Sequence, residues 1–174
     1  MAEIELIQGD ITTVPVDVVV NGTTARVVIG GGSLDKAVHQ AAGPLLLTEL
    51  QGVMDERKTI ALGEGIVTDG YKMPCKKIIH TACPMYMGGG WQEAESLAAC
   101  YRSSLMAAHD AGMESIAFPN LATGAQTFPK KMAAEIAVAA VKETLPATPA
   151  IKKVVFVCFE QENYAVYAEL LRAG

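Results

Sequence analysis

An α/β fold, a three-layer α/β/α sandwich, is what this sequence predicts, on three observations. Short β-branched runs alternate along the chain with amphipathic helical segments. The connections between them are short, with no repeat, linker or low-complexity stretch. The apolar run from Val16 to Val20 has the character of a strand covered on both faces, which calls for helices on both sides of the sheet.

Taken in order, Ile4 to Gln8 alternate as a short strand that ends at Gly9-Asp10, and Val16 to Val20 form the second strand. A loop over 21–32 follows, then a helix from Ser33 to Ala42 with Ser33 as N-cap, Leu34, Val38 and Ala41 at helical spacing, and a break at Gly43-Pro44. One or two further helical turns are expected from Leu45 to Gln51. Glu64 to Thr68 and Lys77 to Thr81 read as strands separated by a turn at Asp69-Gly70. Glu93 to Ala111 reads as a long helix with Leu97, Tyr101, Leu105 and Ala108 on one face, closed by Gly112. The strand Ser115 to Phe118 is followed by a helix from Lys130 to Leu145 with Met132, Ile136 and Ala140 inward, stopping before Pro146. Lys153 to Cys158 and a helix from Glu160 to Ala173, with Tyr164, Tyr167 and Leu171 inward, close the chain.

Composition narrows the functional classes. The chain has 174 residues and 51% apolar content, which fits one domain with a substantial core. A net charge of −5, with no run of Lys or Arg beyond two, argues against bulk nucleic-acid binding. Glu3 and Glu5 stand where a signal peptide carries positive charge, and no apolar stretch approaches the roughly 20 residues that cross a bilayer, so a soluble cytoplasmic protein is expected. Cys75, Cys83, Cys100 and Cys158 form no C-x-x-C pair, and His39, His80 and His109 are widely spaced; neither a metal site nor any cofactor is expected.

Two small-residue loops between strand and helix carry the functional signal. One runs from Asn120 to Pro129 (N-L-A-T-G-A-Q-T-F-P), the other from Asn21 to Gly32. Such loops leave backbone N–H groups uncovered beside the positive end of a helix dipole, so each can hold a phosphate, and two suggest a ligand with two phosphates. No Gly-Lys pair supports a P-loop, and Gly63-Glu64-Gly65 leads into a strand, which argues against a Rossmann fingerprint.

The segments Gln8-Gly9-Asp10-Ile11-Thr12, Val20-Asn21-Gly22-Thr23-Thr24, Gly30-Gly31-Gly32, the stretch from Asp35 to Gly43, Ile79-His80-Thr81-Ala82-Cys83-Pro84, the Asn120–Pro129 loop, and the run from Phe156 to Asn163 together resemble the macro domain family. The likeness is nearest to bacterial stand-alone macro domains that remove the acyl group from O-acetyl-ADP-ribose. It implies a mixed central sheet, a single macro domain over 1–174, and a site for ADP-ribose or a derivative. By the same resemblance, Asp10 accepts from the adenine amino group with Ile11 beside the base, and Phe159 packs on the adenine face. Gly31 and Gly32 on one side, and the backbone of Ala122, Thr123, Gly124 and Ala125 on the other, hold the diphosphate, and Gly22 and Ser33 count among the ligand-binding residues. Asp35 orients or deprotonates the attacking water, and Thr24 and Gln126 lie at the distal ribose.

This sequence departs from the family's pattern at that distal end. Its second asparagine is Thr24, its loop aromatic is Gln126 with Thr127 after it, a glycine is replaced by Cys83, another by Ser33, and the first loop is one residue longer. Weak hydrolysis of ADP-ribosyl esters, either O-acetyl-ADP-ribose or mono-ADP-ribosylated acidic residues of proteins, is therefore the expectation. A non-catalytic ADP-ribose reader and a macro-like scaffold for another nucleotide are the alternatives.

Overall fold

The computed structural model describes residues 1–27 and 32–173. Six strands form one sheet: β1 (Glu3–Gln8), β2 (Val18–Thr23), β3 (Gly65–Asp69), β4 (Lys77–Ala82), β5 (Ser115–Phe118) and β6 (Lys153–Cys158). Their order is β1-β6-β5-β2-β4-β3, parallel throughout except for the antiparallel β3–β4 pair, so the sheet is mixed. Five helices flank it: α1 (Ser33–Ala42), α2 (Pro44–Arg57), α3 (Glu93–Asp110), α4 (Lys130–Thr144) and α5 (Gln161–Ala173).

Strand alternation sorts the core into two layers. Val18, Val20, Ile79, Ile116, Phe118, Val154 and Phe156 face α3, α4 and α5, whereas Val19, Ile78, Ala117, Val155 and Val157 face α1 and α2. Both faces are covered, as the apolar run at β2 requires. Leu46 and Leu50 of α2 are fully enclosed, each contributing about 1.5–3 kcal/mol of transfer free energy.

Four expectations need correction. β2 continues through Asn21-Gly22-Thr23, which pair with His80, Thr81 and Ala82, so the loop begins at Thr24. Polar side chains at the end of a strand hide its continuation; the register with β4 supplies it. Helix α1 is capped by Gly32, with no side-chain hydrogen bond, and Ser33 is its first helical residue. Helix α2 runs to Arg57 because Pro44 sits at its first turn, where no N–H is needed, and Gly52 lies where a side chain would meet open space. Helix α4 turns Ala133, Ala134, Ala137, Val138, Ala140 and Val141 inward, while Met132 is exposed. Helices α3 and α4 pack against each other, and the small buried alanines of α4 join the core on that side of the sheet.

Candidate functional site

The C-terminal ends of β1, β2, β5 and β6 open into one cavity of about 440 Å³. Strands β1 and β2 are consecutive in the chain but separated in the sheet by β6 and β5, so their following segments diverge and leave a crevice where ligands of α/β proteins bind.

At one end stands Asp10, immediately after β1. It caps a single 3₁₀ turn over Ile11–Thr13, with Oδ1 accepting from the Thr12 N–H at 2.9 Å and the Thr12 hydroxyl at 2.7 Å. One carboxylate oxygen is thereby fixed and the group's other acceptor capacity stays with Oδ2. Ile11 beside it is buried. Phe159, just past β6, is 80% exposed and lines the same cavity. A phenylalanine left that bare on a wall is not core filler, and its face is open to stacking by a flat group.

The middle of the cavity is lined by backbone. After β5 the chain turns sharply, with Ala122 at φ 67° and Thr127 at φ 59°. A left-handed alanine or threonine costs about 1–2 kcal/mol, so the surrounding contacts must hold it. They do: the Phe128 N–H donates to the Ala122 carbonyl at 2.8 Å and the Thr127 N–H to the Gly124 carbonyl at 3.0 Å. The N–H groups from Ala122 to Gln126 find no acceptor among the described residues, and these residues line the cavity, where such groups can meet an anion. Opposite lies the N-terminus of α1, where Gly32, Ser33, Leu34 and Asp35 join the wall and no side chain caps the helix. Lys130 adds a positive charge at the start of α4, held by Glu162 at 2.8 Å and Glu160 at 3.3 Å.

At the far end Asp35 is buried, 6% exposed. Its Oδ1 accepts from Asn21 Nδ2 at 2.7 Å and lies 3.5 Å from His39 Nε2, one helical turn on. Asn21 Nδ2 also donates to His80 Nδ1 at 3.1 Å, and His80 Nε2 meets the Thr68 hydroxyl at 3.0 Å. Since Asn21 Nδ2 can only donate, His80 carries its proton on Nε2 and donates a hydrogen bond to the Thr68 hydroxyl, which in turn donates to the Asp69 carbonyl at 3.2 Å. Burial drives the His80 pKa down to about 3, so the ring is neutral. A buried hydrogen-bonded chain thus runs across β2, β4 and β3 and ends on Asp35.

The profile of the Macro domain family matches residues 20–137. The chain belongs to the macro domain family. A macro domain-containing protein of Cupriavidus necator is 39% identical over 168 residues, covering 97% of this chain and 96% of that protein. The O-acetyl-ADP-ribose deacetylase of Klebsiella pneumoniae is 41% identical over 167 residues, 96% of this chain and 95% of that enzyme. Among solved structures, the Oceanobacillus iheyensis macrodomain with ADP superposes with a TM-score of 0.90 at 33% identity, covering 98% of this chain and 90% of that one. The Trypanosoma brucei macrodomain in complex with ADP-ribose gives 0.87 at 32% identity, covering 97% and 69%.

In this macro domain, the residues singled out from sequence, Asp10, Ile11, Gly22, Thr24, Gly32, Ser33, Asp35, Ala122, Thr123, Gly124, Ala125, Gln126 and Phe159, all line the one cavity. Gly31 lies outside the described residues. Gly22 has a packing reason of its own: a Cβ there would meet Leu121 Cδ2 at 3.2 Å and Cys83 Sγ at 3.4 Å. Gln126 does not reach over the cavity as a clamp, since its amide turns to the Thr23 carbonyl at 3.4 Å.

Several macro domain site residues escaped the sequence reading. Asn21, His39 and His80 surround Asp35, and the two histidine rings, distant in sequence, lie 6.3 Å apart. The i,i+4 spacing of Asp35 and His39 was a readable signal; the Asn21–His80 contact depends on the β2–β4 register and was not. Asn120 donates to Asn163 at 2.7 Å and both join the wall. No group of three His, Cys, Asp or Glu residues among the described residues is arranged to hold a metal ion, and no described helix is long and apolar enough to cross a membrane.

Proposed function

We propose that this macro domain binds ADP-ribose or a derivative and hydrolyses ADP-ribosyl esters weakly, either O-acetyl-ADP-ribose or mono-ADP-ribosylated acidic side chains of proteins. The observation that carries this reading is one cavity with Asp10 and Phe159 at one end, Asp35 at the other, and unpaired N–H groups between them. The relatives' names, a deacetylase of O-acetyl-ADP-ribose and macrodomains solved with ADP and ADP-ribose, support it.

In this reading adenine lies between Ile11 and Phe159 with its amino group on Asp10, and the diphosphate rests against the Ala122–Gln126 backbone and the α1 N-terminus. Asp35 takes the proton of a water that attacks the ester carbonyl and returns it to the ribose oxygen as the carbonyl–oxygen bond breaks, so the acyl group leaves as a carboxylic acid and the ribose hydroxyl is restored. Asn21 and His39 orient the carboxylate for that task. A single macro domain over 1–174 is supported by β1 and β6, which flank the matched segment and pair within the same sheet. Four free buried cysteines and an acidic surface support a cytoplasmic protein without bulk nucleic-acid partners.

A non-catalytic reader is favoured by one observation, the Gln126 amide turned to the Thr23 carbonyl where the family's pattern has an aromatic clamp. Calorimetry with ADP-ribose, followed by an assay for release of ADP-ribose from O-acetyl-ADP-ribose and from a modified protein, decides between them. Affinity with release establishes the hydrolase; affinity without release leaves the reader; neither leaves a scaffold for another nucleotide.

A further inference from the structure

A second concavity, of about 480 Å³, adjoins the first and shares Thr24, Met85 and Gln126 with it. Its other walls include Leu62, Met87 and Trp91, and these three are 50%, 60% and 71% exposed. Isolated exposed hydrophobic residues are ordinary, but these line one groove. The segment carrying Met87 and Trp91 is also held in shape: the buried Glu93 carboxylate accepts from the N–H groups of Met87 at 2.9 Å, Gly89 at 2.8 Å and Trp91 at 2.6 Å.

Resting on the ADP-ribose assignment of the cavity, we propose that this groove takes the alkyl chain of an acyl-ADP-ribose whose acyl group is longer than acetyl. Covalent continuity identifies the occupant. The shared wall lies at the end of the cavity assigned to the distal ribose, so whatever is esterified there enters the groove first. The groove's chemistry selects an alkyl chain over a peptide. Among the described residues its only charged lining residue is Glu93, whose carboxylate is committed to three backbone donors, so a peptide backbone or a charged side chain finds little to pair with. An alkyl chain needs only the apolar surfaces that Leu62, Met87 and Trp91 present. The absence of an aromatic clamp at Gln126 leaves the passage between the two concavities lined by a polar side chain turned aside.

The test is calorimetry of the full chain with ADP-ribose and with amide-linked acyl analogues from acetyl to octanoyl, which resist hydrolysis. Affinity is expected to rise with chain length, with hexanoyl binding about tenfold or more tighter than acetyl, which is partial burial of the added methylenes. In Trp91→Ala with Met87→Ala, and separately in Leu62→Ser on the opposite wall, that gain should shrink to about threefold or less while the affinity for ADP-ribose itself is unchanged. Failure of ADP-ribose to bind overturns the cavity's assignment and the groove's with it. Binding of ADP-ribose with no dependence on chain length overturns the groove proposal alone. A flat acyl series alongside a mono-ADP-ribosylated peptide that gains affinity through Trp91 assigns the groove to protein substrates and likewise overturns it.

Discussion

Asp10 and Asp35 are both carboxylates lining the same cavity, and their surroundings differ. Asp10 is exposed, with one oxygen tied to Thr12, an arrangement suited to accepting from a neutral donor. Asp10→Ala is therefore expected to weaken ADP-ribose binding by roughly 1.5–3 kcal/mol, the range for a hydrogen bond to a charged group, with little effect on stability. Equal affinities by calorimetry would remove Asp10 from the site. Asp35 is enclosed and held by Asn21, so Asp35→Asn, which keeps an acceptor for Asn21 but cannot take a proton, should abolish ester hydrolysis while ADP-ribose still binds. Turnover that survives this change would show that another group activates the water. Thr24 and Gln126 were legible as departures from the family's pattern, yet only the structure shows Gln126 bonded to the Thr23 carbonyl.

At the level of elements, the β2–β4 register creates what no single segment contains. By placing Asn21 opposite His80, it buries a neutral imidazole between Asn21 and Thr68, and that has a consequence for stability. The folded-state pKa, about 3, lies below the ordinary histidine value of 6.5, so between those limits the unfolded chain binds the extra proton. Stability should be fully present above pH 6.5 and fall as the pH drops, by about 2–3 kcal/mol at pH 4.5. Urea unfolding across pH 4.5–7 reads this directly, and in His80→Gln the slope in that window should largely vanish. Glu93 acts lower: the Met87 N–H and its neighbours hold its pKa near 2, so its contribution is lost only as the pH falls below the ordinary glutamate range. Strands and helices with strong periodicity were readable from sequence: Ser115–Phe118 is β5, and Leu97, Tyr101, Leu105 and Ala108 are the buried stripe of α3. Helix α4 was readable only in part: Ala140 and the partly buried Ile136 face inward as expected, but Met132 does not, and the alanines beside them were missed because alanine gives little hydrophobic signal and Met132 gives a strong one. Its packing makes a prediction, that Ala137→Leu overfills the contact between α4 and the core and costs about 1–3 kcal/mol in chemical denaturation, whereas Met132→Ala changes little.

For the whole molecule, the cavity is the place where separately folded parts of the chain meet. Its walls come from the segments after β1, β2, β5 and β6 and from the start of α1, which belong to both core layers. A ligand that touches all of them ties the two layers together, and one that touches only the β1 and β6 segments does not. Binding to the folded state alone stabilises by RT ln(1 + [L]/Kd), about 2.7 kcal/mol at a hundredfold excess over Kd. For a chain of this size, each kcal/mol raises the melting temperature by about 2–4 °C. ADP-ribose at a concentration a hundredfold above its Kd should therefore raise Tm by about 5–10 °C. AMP at the same concentration reaches Asp10, Ile11 and Phe159 but cannot span the N–H groups from Ala122 to Gln126 and the α1 terminus together, so its affinity is lower and its shift should be a small fraction of that. Phe159→Ala should diminish both shifts, because the adenine platform is common to the two ligands. A melting series with equal shifts for AMP and ADP-ribose would show that the two loops do not grip a diphosphate, and the assignment of the cavity's middle section would fall.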